Sequence, residues 1–544
     1  MEDMFRSIIR FLRLMFHSGA AVLCLVIALA SPARSETLVR AGPDVTDDLN
    51  SYRNLRQVEE QIHMDMREGL VTIGPNGGIA PGLAESWNFS PDGLTATFIL
   101  RRNAKWSDGT PIIAAHFVRG FKDRVRLFKL GAAKGGLSVL RVAGVREYLE
   151  GQTDAPDGFG IRALSDHQLE IRLNQPDIFF IDNMRGTEGI LPMHPDWIMD
   201  PDVEYMTPSP TDGPYVPVEF RPNAYLRLIK NEFHHDAENI VFDEVIYLNY
   251  NRYEGNIYSD ILAGKLSFVA RPRTNMVAWF RENHPEWLKR VQLKSLSYLD
   301  INFRNPELAK HDIREALELA IDRDAIYSIL NSQHPLSISE RWFPPGGNPL
   351  PPTDFAFSTL PYDERLEAAR ALMRKNGYDQ QRPLELTLRT NGSFFNKSLS
   401  LALTGMWQQV GFKINRGISQ VELELYTRHL FDGDFDLALV SWAGTTPDLG
   451  FYIDMAHSDP GIAGAFNYGR YYNPVVDREL SLALDATSIE AKNGHLVLAE
   501  RTLLEDHGKI PLANQNTDYI VSPRLNGLES GSYGVFLSRY LSFR

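Results

Sequence analysis

A chain of 544 residues, 43% hydrophobic and 23% charged, can fill several apolar cores, so more than one domain is expected. Its formal net charge of −13 argues against nucleic acid or an anionic membrane surface as a partner. The single cysteine rules out an internal disulfide framework, so stability must come from large cores.

The chain opens with a basic start at Arg6, Arg10 and Arg13, an apolar run from Gly19 to Ala30, and a small-x-small pattern at Ala33-Arg34-Ser35. This pattern predicts a secretory signal peptide over residues 1–35, cleaved after Ser35 and too short for a good membrane span. Leu23 precedes Cys24, where a lipoprotein signal needs a small residue, so no lipid anchor is expected. Removing the segment leaves 52 basic and 67 acidic residues. No later stretch reaches membrane-spanning length.

Residues 72–190 read as short strands and turns. Ser90-Pro91-Asp92-Gly93 has type I turn chemistry: Pro91 presets φ, Asp92 bonds locally and Gly93 relieves the exit. Ala96, Phe98 and Leu100 then alternate with Thr95, Thr97 and Ile99 as a half-buried strand does. Trp87 and Trp106 flank the unit as packing anchors. Ser107 to Pro111 forms a second turn, followed by a helical run holding His116, Phe117 and Phe121. Leu169 to Leu173 alternates as a strand, Asp212-Gly213-Pro214-Tyr215 is a turn, and Ala224 to Ile229 is strand-like.

Character changes near residue 300. Asp312-Ile313-Arg314-Glu315 reads as a capping box, and Ile313, Ala316, Leu317, Ala320 and Ile321 follow at helical spacing. Phe343 to Pro349 is a surface loop by composition. Tyr362 to Asn376 is helical with Gly377 as its C-cap, and Leu384, Leu386 and Leu388 mark a strand. A helix runs to Val410, and Phe412 to Ile414 and Phe435 to Val440 are strands, so the second half is α/β.

Three stretches carry a family resemblance. Residues 81–118 resemble the signature of family 5 extracellular solute-binding proteins, the peptide- and nickel-binding receptors of ABC importers. Asn302 to Asn305 with Asp312 to Leu317 and Ala320 to Arg323 resembles a second signature. Phe435 to Trp442, with Asn467-Tyr468 and Tyr472-Asn473-Pro474, resembles a third. The likeness is strongest to the oligopeptide-binding branch. It implies an α/β, two-lobed periplasmic binding protein, type II-like with an extra domain, its mixed sheets arranged around a ligand cleft. Domain I would comprise residues 36–71, 191–300 and 513–544, domain II residues 72–190, and domain III residues 301–512. It also implies hinged closure about crossovers near residues 300 and 512. The partners implied are a small-molecule or peptide ligand and the permease's transmembrane subunits with their ATPase. No cofactor or nucleic acid is implied, and the protein would be a monomer.

Other motifs carry less. Gly158 to Ala163 matches a dinucleotide-binding spacing, but a strand follows rather than a helix. His234-His235 reads as a solvated turn, since adjacent histidines seldom share a face and no HExxH or other ligand spacing accompanies them. No GxSxG elbow or Walker loop is present, and no catalytic or metal-ligating residue is assigned.

The candidate ligand-binding residues lie mainly in the segment Trp442, Ala443, Gly444, Thr445, Thr446, Pro447, Asp448. Small residues and turn formers after a strand let backbone approach a ligand, although an ordinary strand-end loop has the same composition. The resemblance places at residue 445 an aspartate that pairs with a peptide's α-ammonium; here Thr445 stands there, with Asp448 close by as a substitute. Leu439 replaces an arginine of the branch, and Val421 a tryptophan. Asn514 and Gln515 follow Pro511 where tyrosines are usual, and amides suit polar ligands. Glu59 matches a cleft glutamate and Arg428 a cleft arginine; a solvated surface charge reads equally well for each. The expected function is capture of peptides or peptide-like solutes for import. The alternatives are a non-peptide polar solute on the same scaffold (oligosaccharide, opine-like compound or metal chelate) and, more remotely, a secreted hydrolase.

Overall fold

The computed structural model describes residues 36–43, 45, 49, 57–130, 137–153, 158–186, 189–197, 210–331, 336–344, 355, 359–419, 423–444, 448–459, 466–528 and 534–544. The predicted signal segment, the Thr445–Pro447 stretch and Val421 lie outside them.

The turn at Ser90 forms as its chemistry dictates. Gly93 sits at φ +70°, and Asp92 Oδ1 accepts from Leu94 N at 3.0 Å and Ser90 Oγ at 2.5 Å. It joins Ala84–Phe89 to Thr95–Leu100 in an antiparallel sheet completed by Gln168–Arg172 and Ile161–Ser165. Ala96, Phe98 and Leu100 point inward under the helix Ala114–Lys129, which buries Phe117, Phe121 and Val125. Of the two predicted anchors, Trp106 is fully buried, whereas Trp87 is half-buried against Phe98. This apolar core draws on residues 70–190.

A twelve-stranded mixed sheet runs through the rest of the molecule. At one end Leu384–Asn391 lies parallel to Phe412–Ser419, and its other side touches the start of Leu437–Gly444. Leu437–Gly444 pairs along its length with Lys294–Ile301. Lys294–Ile301 pairs in turn with the start of the thirteen-residue strand Lys509–Val521. The far end of that strand pairs with Phe268–Ala270 and Leu288–Gln292. Thr37–Gly42, Glu244–Asn249, Tyr225–Lys230 and Tyr215–Arg221 complete the order.

One strand therefore belongs to both lobes. Its first residues, Ile510 to Ala513, enter a core spanning residues 296–513. Tyr519 and Val521 enter another, built from residues 38–66, 215–268 and 519–541. At the start of the strand, within the core of residues 296–513, Lys509 Nζ lies 2.7 Å from Asp300 Oδ1, and both side chains are fully buried.

Several local expectations change. The helix after Asn305 begins at His311 with Lys310 as N-cap and no side-chain cap. Asp312 is no cap: Lys375 Nζ (2.8 Å) and Asn376 Nδ2 (3.0 Å), at the end of the helix Tyr362–Lys375, hold its carboxylate. The supposed surface loop begins in the interior. Trp342, Phe343 and Pro344 are buried, because Glu500 Oε1 accepts from Trp342 N (2.8 Å) and Phe343 N (3.1 Å); residues 345–350 lie outside the described residues. Asp212 is more than a turn former, since Arg67 Nε reaches its carboxylate at 2.5 Å with both groups buried.

Burial also sets an acid limit. His63 is fully buried, and neither ring nitrogen has a partner among the described residues. Desolvation, with Arg67 nearby, pushes it down to about 3. Burial likewise lowers His116 to about 4 and His507 to about 3. These folded values lie below the unfolded histidine value, so the unfolded chain binds more protons between them. Stability is complete above pH ~6.5 and falls as pH drops through that window, by about 1.4 kcal/mol per pH unit per histidine. His63→Leu is expected to flatten this slope by one proton, measured as urea midpoints between pH 7 and 4. An unchanged slope would show that His63 is not held neutral.

Candidate ligand-binding site

The strand Leu437–Gly444 changes character along its length. Leu437 to Val440 are buried, Ser441 and Trp442 half-buried, and Ala443 exposed. On one side it is paired throughout by Lys294–Ile301. On the other, Leu384–Asn391 reaches only Leu437 and Ala438, and Tyr426 Oη donates to Leu439 O at 2.5 Å. Beyond that point no strand covers this edge among the described residues. In an antiparallel ladder alternate residues turn their N–H and C=O to opposite sides. Asn302 N donates to Asp436 O, so the even positions face the partner strand. Ser441 and Ala443, like Leu439, face the open edge.

A polar strip crosses the sheet beside that edge. Ser441 Oγ and Ser297 Oγ are 2.8 Å apart, and Gln515 Nε2 donates to Ser297 Oγ at 2.9 Å. Ser295 Oγ accepts from Gln515 N at 2.7 Å, which fixes that residue where the long strand changes partners. Asn514 is buried, and its Oδ1 has no hydrogen-bond partner among the described residues. Trp442 stacks obliquely on Phe466, with ring centroids 5.2 Å apart, and Phe466 leads on to Phe431 and Tyr468.

Asp448 is committed to the protein's own groups. Its Oδ1 accepts from Lys492 Nζ at 2.8 Å and Gly450 N at 3.0 Å, and its Oδ2 accepts from Asn183 Nδ2 at 2.8 Å. Burial would raise this carboxyl, but Lys492 and the hydrogen bonds hold it below the usual carboxylate range. Asn183 lies between Phe180 and Met184 of the core of residues 70–190, so the bond joins two separate cores. Lys492 Nζ also sits 4.5 Å above the Phe179 ring, a second contact of the same kind.

Lys294 joins this cluster from the strand paired with Gly444. It is buried, its Nζ lies 3.3 Å from Asp448 O, and Tyr452 Oη donates to its carbonyl at 2.6 Å. Arg185 pairs with Asp182 at 3.8 Å and Arg141 with Asp177 at 3.3 Å, beside the core of residues 70–190.

The remaining expected residues do not converge here as a unit. Arg428 is exposed on the helix Leu423–Asp432. Glu59 lies on the helix Gln57–Met66, its side chain outside the described residues, as are Thr445 and Thr446. Trp442, Ala443, Gly444 and Gln515 are brought together; Asn514 is buried next to them. Reading the sequence missed Lys294, Ser297, Lys492 and Asn183. Lys294 carried a signal, a basic residue opening the strand KSLSYLDI; Asn183 carried none.

His234 and His235 do not form a solvated turn. Both rings are enclosed, and their Nε2 atoms lie 3.2 and 2.7 Å from Glu68 Oε2. Arg539 takes the other oxygen. Burial alone would raise Glu68, but Arg539 and the histidines hold it well below the usual range. The three groups lie close enough for a metal, yet the donor set does not fit one. His234 Nδ1 accepts from Asp236 N at 3.2 Å, so a neutral ring carries its proton on Nε2, the atom a metal would need.

Comparison with known proteins places this geometry. Residues 78–464 match the family described as bacterial extracellular solute-binding proteins, family 5. The chain is 26% identical over 501 residues to the periplasmic murein peptide-binding protein MppA of Escherichia coli K12, covering 91% of this chain and 90% of that protein. It is 26% identical over 523 residues to the periplasmic oligopeptide-binding protein OppA of the same organism, with 91% and 90% covered. The solved structure of Burkholderia pseudomallei OppA superposes with a TM-score of 0.78 at 23% identity, covering 94% of this chain and all of that one.

Proposed function

The chain belongs to the bacterial extracellular solute-binding proteins of family 5, and we propose that within that family it is a periplasmic receptor that captures peptides and hands them to an ABC permease. The observation carrying this reading is the uncovered strand edge at Ser441 and Ala443 beside the Ser441–Ser297–Gln515 strip. An extended peptide can add to such an edge, its main chain supplying affinity whatever its side chains. The relatives named for murein peptides and oligopeptides support the same ligand class.

The action is binding without bond-making. Ligand is enclosed between the lobes, and the closed form docks on the permease with its ATPase. Closure is driven by the ligand's greater affinity for that form. The separate cores support the division into residues 36–71 with 191–300 and 513–544, 72–190, and 301–512. The strand register favours starting the second lobe at Lys294. Export follows from the segment 1–35, and the receptor acts as a monomer.

Denaturing the purified exported protein and analysing what is released by mass spectrometry tests this. Peptide masses are expected, and adding them back should compact the protein in solution scattering. Release of sugars or bile-acid-like molecules alone, with no heat on titrating peptide pools, would overturn the reading in favour of another solute.

A further inference from the structure

Two of the molecule's cores meet through an ion pair. No strand ladder joins the core of residues 70–190 to the core of residues 296–513 among the described residues, and the first has a four-stranded sheet of its own. The contact between them at Asp448 is made by side chains. Asp448 and Lys492, 2.8 Å apart and both buried, come from the chain of the second core. Asn183 and Phe179, beside the first core, cover them. Asn183 Nδ2 donates to Asp448 Oδ2 at 2.8 Å, and the Phe179 ring centre lies 4.5 Å from Lys492 Nζ.

Each half of the ion pair meets the neutral group that suits it. The carboxylate takes an amide donor, and the ammonium takes the negative face of a ring. Neither Asn183 nor Phe179 brings a charge that needs its own counter-ion. The contact can therefore part without stranding a charge, because Asp448 keeps Lys492 Nζ and Gly450 N. Its gain is partly offset. Forming it strips water from an ion pair and leaves Asn183 Oδ1 with no hydrogen-bond partner among the described residues.

On the hinged-closure reading above, we infer that Asn183 and Phe179 dock on the Asp448–Lys492 pair as a clasp that favours the closed form without ligand. A ligand adds only its own preference for that form. The clasp then sets how far the unliganded protein lies towards closure, and so how large a part of the apparent affinity the protein supplies itself.

The test reads the distance between the two cores. Cys24 is the one native cysteine and lies in the predicted signal segment. Spin labels therefore enter at Leu164→Cys, on the strand Ile161–Ser165, and Leu482→Cys, on the helix Pro474–Asp485, both exposed positions. Pulsed electron resonance on the unliganded protein is expected to give a short and a long component. Asn183→Asp sets a second carboxylate against Asp448. It should lower the short-to-long ratio roughly 10- to 100-fold, the range for losing a charged hydrogen bond. The exchange Asn183→Asp/Asp448→Asn restores an amide against a carboxylate and should recover the ratio. Phe179→Leu buries no new charge, should lower the ratio a few-fold, and decides the matter if Asn183→Asp folds poorly. A wild type without a short component, or a ratio unchanged by either substitution, would overturn the inference. A tryptic peptide pool is then added to each form. Peptides that shorten the distance equally in all of them leave capture standing without the clasp. A distance that neither substitution nor peptide changes removes hinged closure, and the clasp with it.

Discussion

Lys509→Met is expected to cost the second lobe about 3–5 kcal/mol of unfolding free energy, the range for stranding one partner of a buried ion pair. Lys509 and Asp300 face each other across the two strands that join the lobes, both fully buried, at 2.7 Å. Burial raises the Asp300 carboxyl and lowers the Lys509 ammonium, each opposed by the other's charge. Without the lysine, Asp300 must stay ionised in an apolar setting or take up a proton. The double variant Asp300→Asn/Lys509→Met removes both charges and should recover much of the loss. Urea unfolding followed by tryptophan fluorescence separates these cases. A single variant as stable as wild type would show that water or another group already serves Asp300.

Ala443→Pro is expected to lower peptide affinity roughly 10- to 100-fold with little change in stability. Proline removes one N–H and places a ring where a ligand strand would lie, yet proline is tolerated on a sheet edge whose N–H makes no ladder bond. Ala443 is exposed, and its N–H faces away from Lys294–Ile301. Ala443→Val, which keeps the N–H, should bind within a fewfold of wild type. Equal affinity in wild type and Ala443→Pro would show that ligand does not pair with this edge. A collapse of the unfolding transition would show that the N–H is engaged within the protein.

The hairpin at Ser90, the helix ending at Gly377 and the strand alternation of residues 95–100 were legible because local chemistry alone decides them. Two lobes and a cleft became legible through the family signatures. The charges were not. His234 and His235 look like solvated turn residues until Glu68, 166 residues before His234, is brought against them, its other oxygen held by Arg539, 471 residues beyond Glu68. Asp448 looks available until Lys492 arrives from a distant helix and Asn183 from 265 residues earlier in the chain. Phe343 looks like loop until Glu500 accepts its N–H. In each case the partner lies far along the chain, and nothing local specifies which long-range partner will be met.

The strand Lys509–Val521 has a consequence for how the protein is made. It occupies the middle of the sheet, yet it is synthesised after every strand it pairs with. Before it arrives, Lys294–Ile301 lacks one neighbour, Leu288–Gln292 lacks the strand it pairs with, and Phe268–Ala270 has only Thr37–Gly42. Neither lobe can close its sheet until residues 509–521 are made. Such late, long-range pairing slows folding and keeps the emerging chain open. Completion of both lobes is thereby tied to the pairing of one late strand.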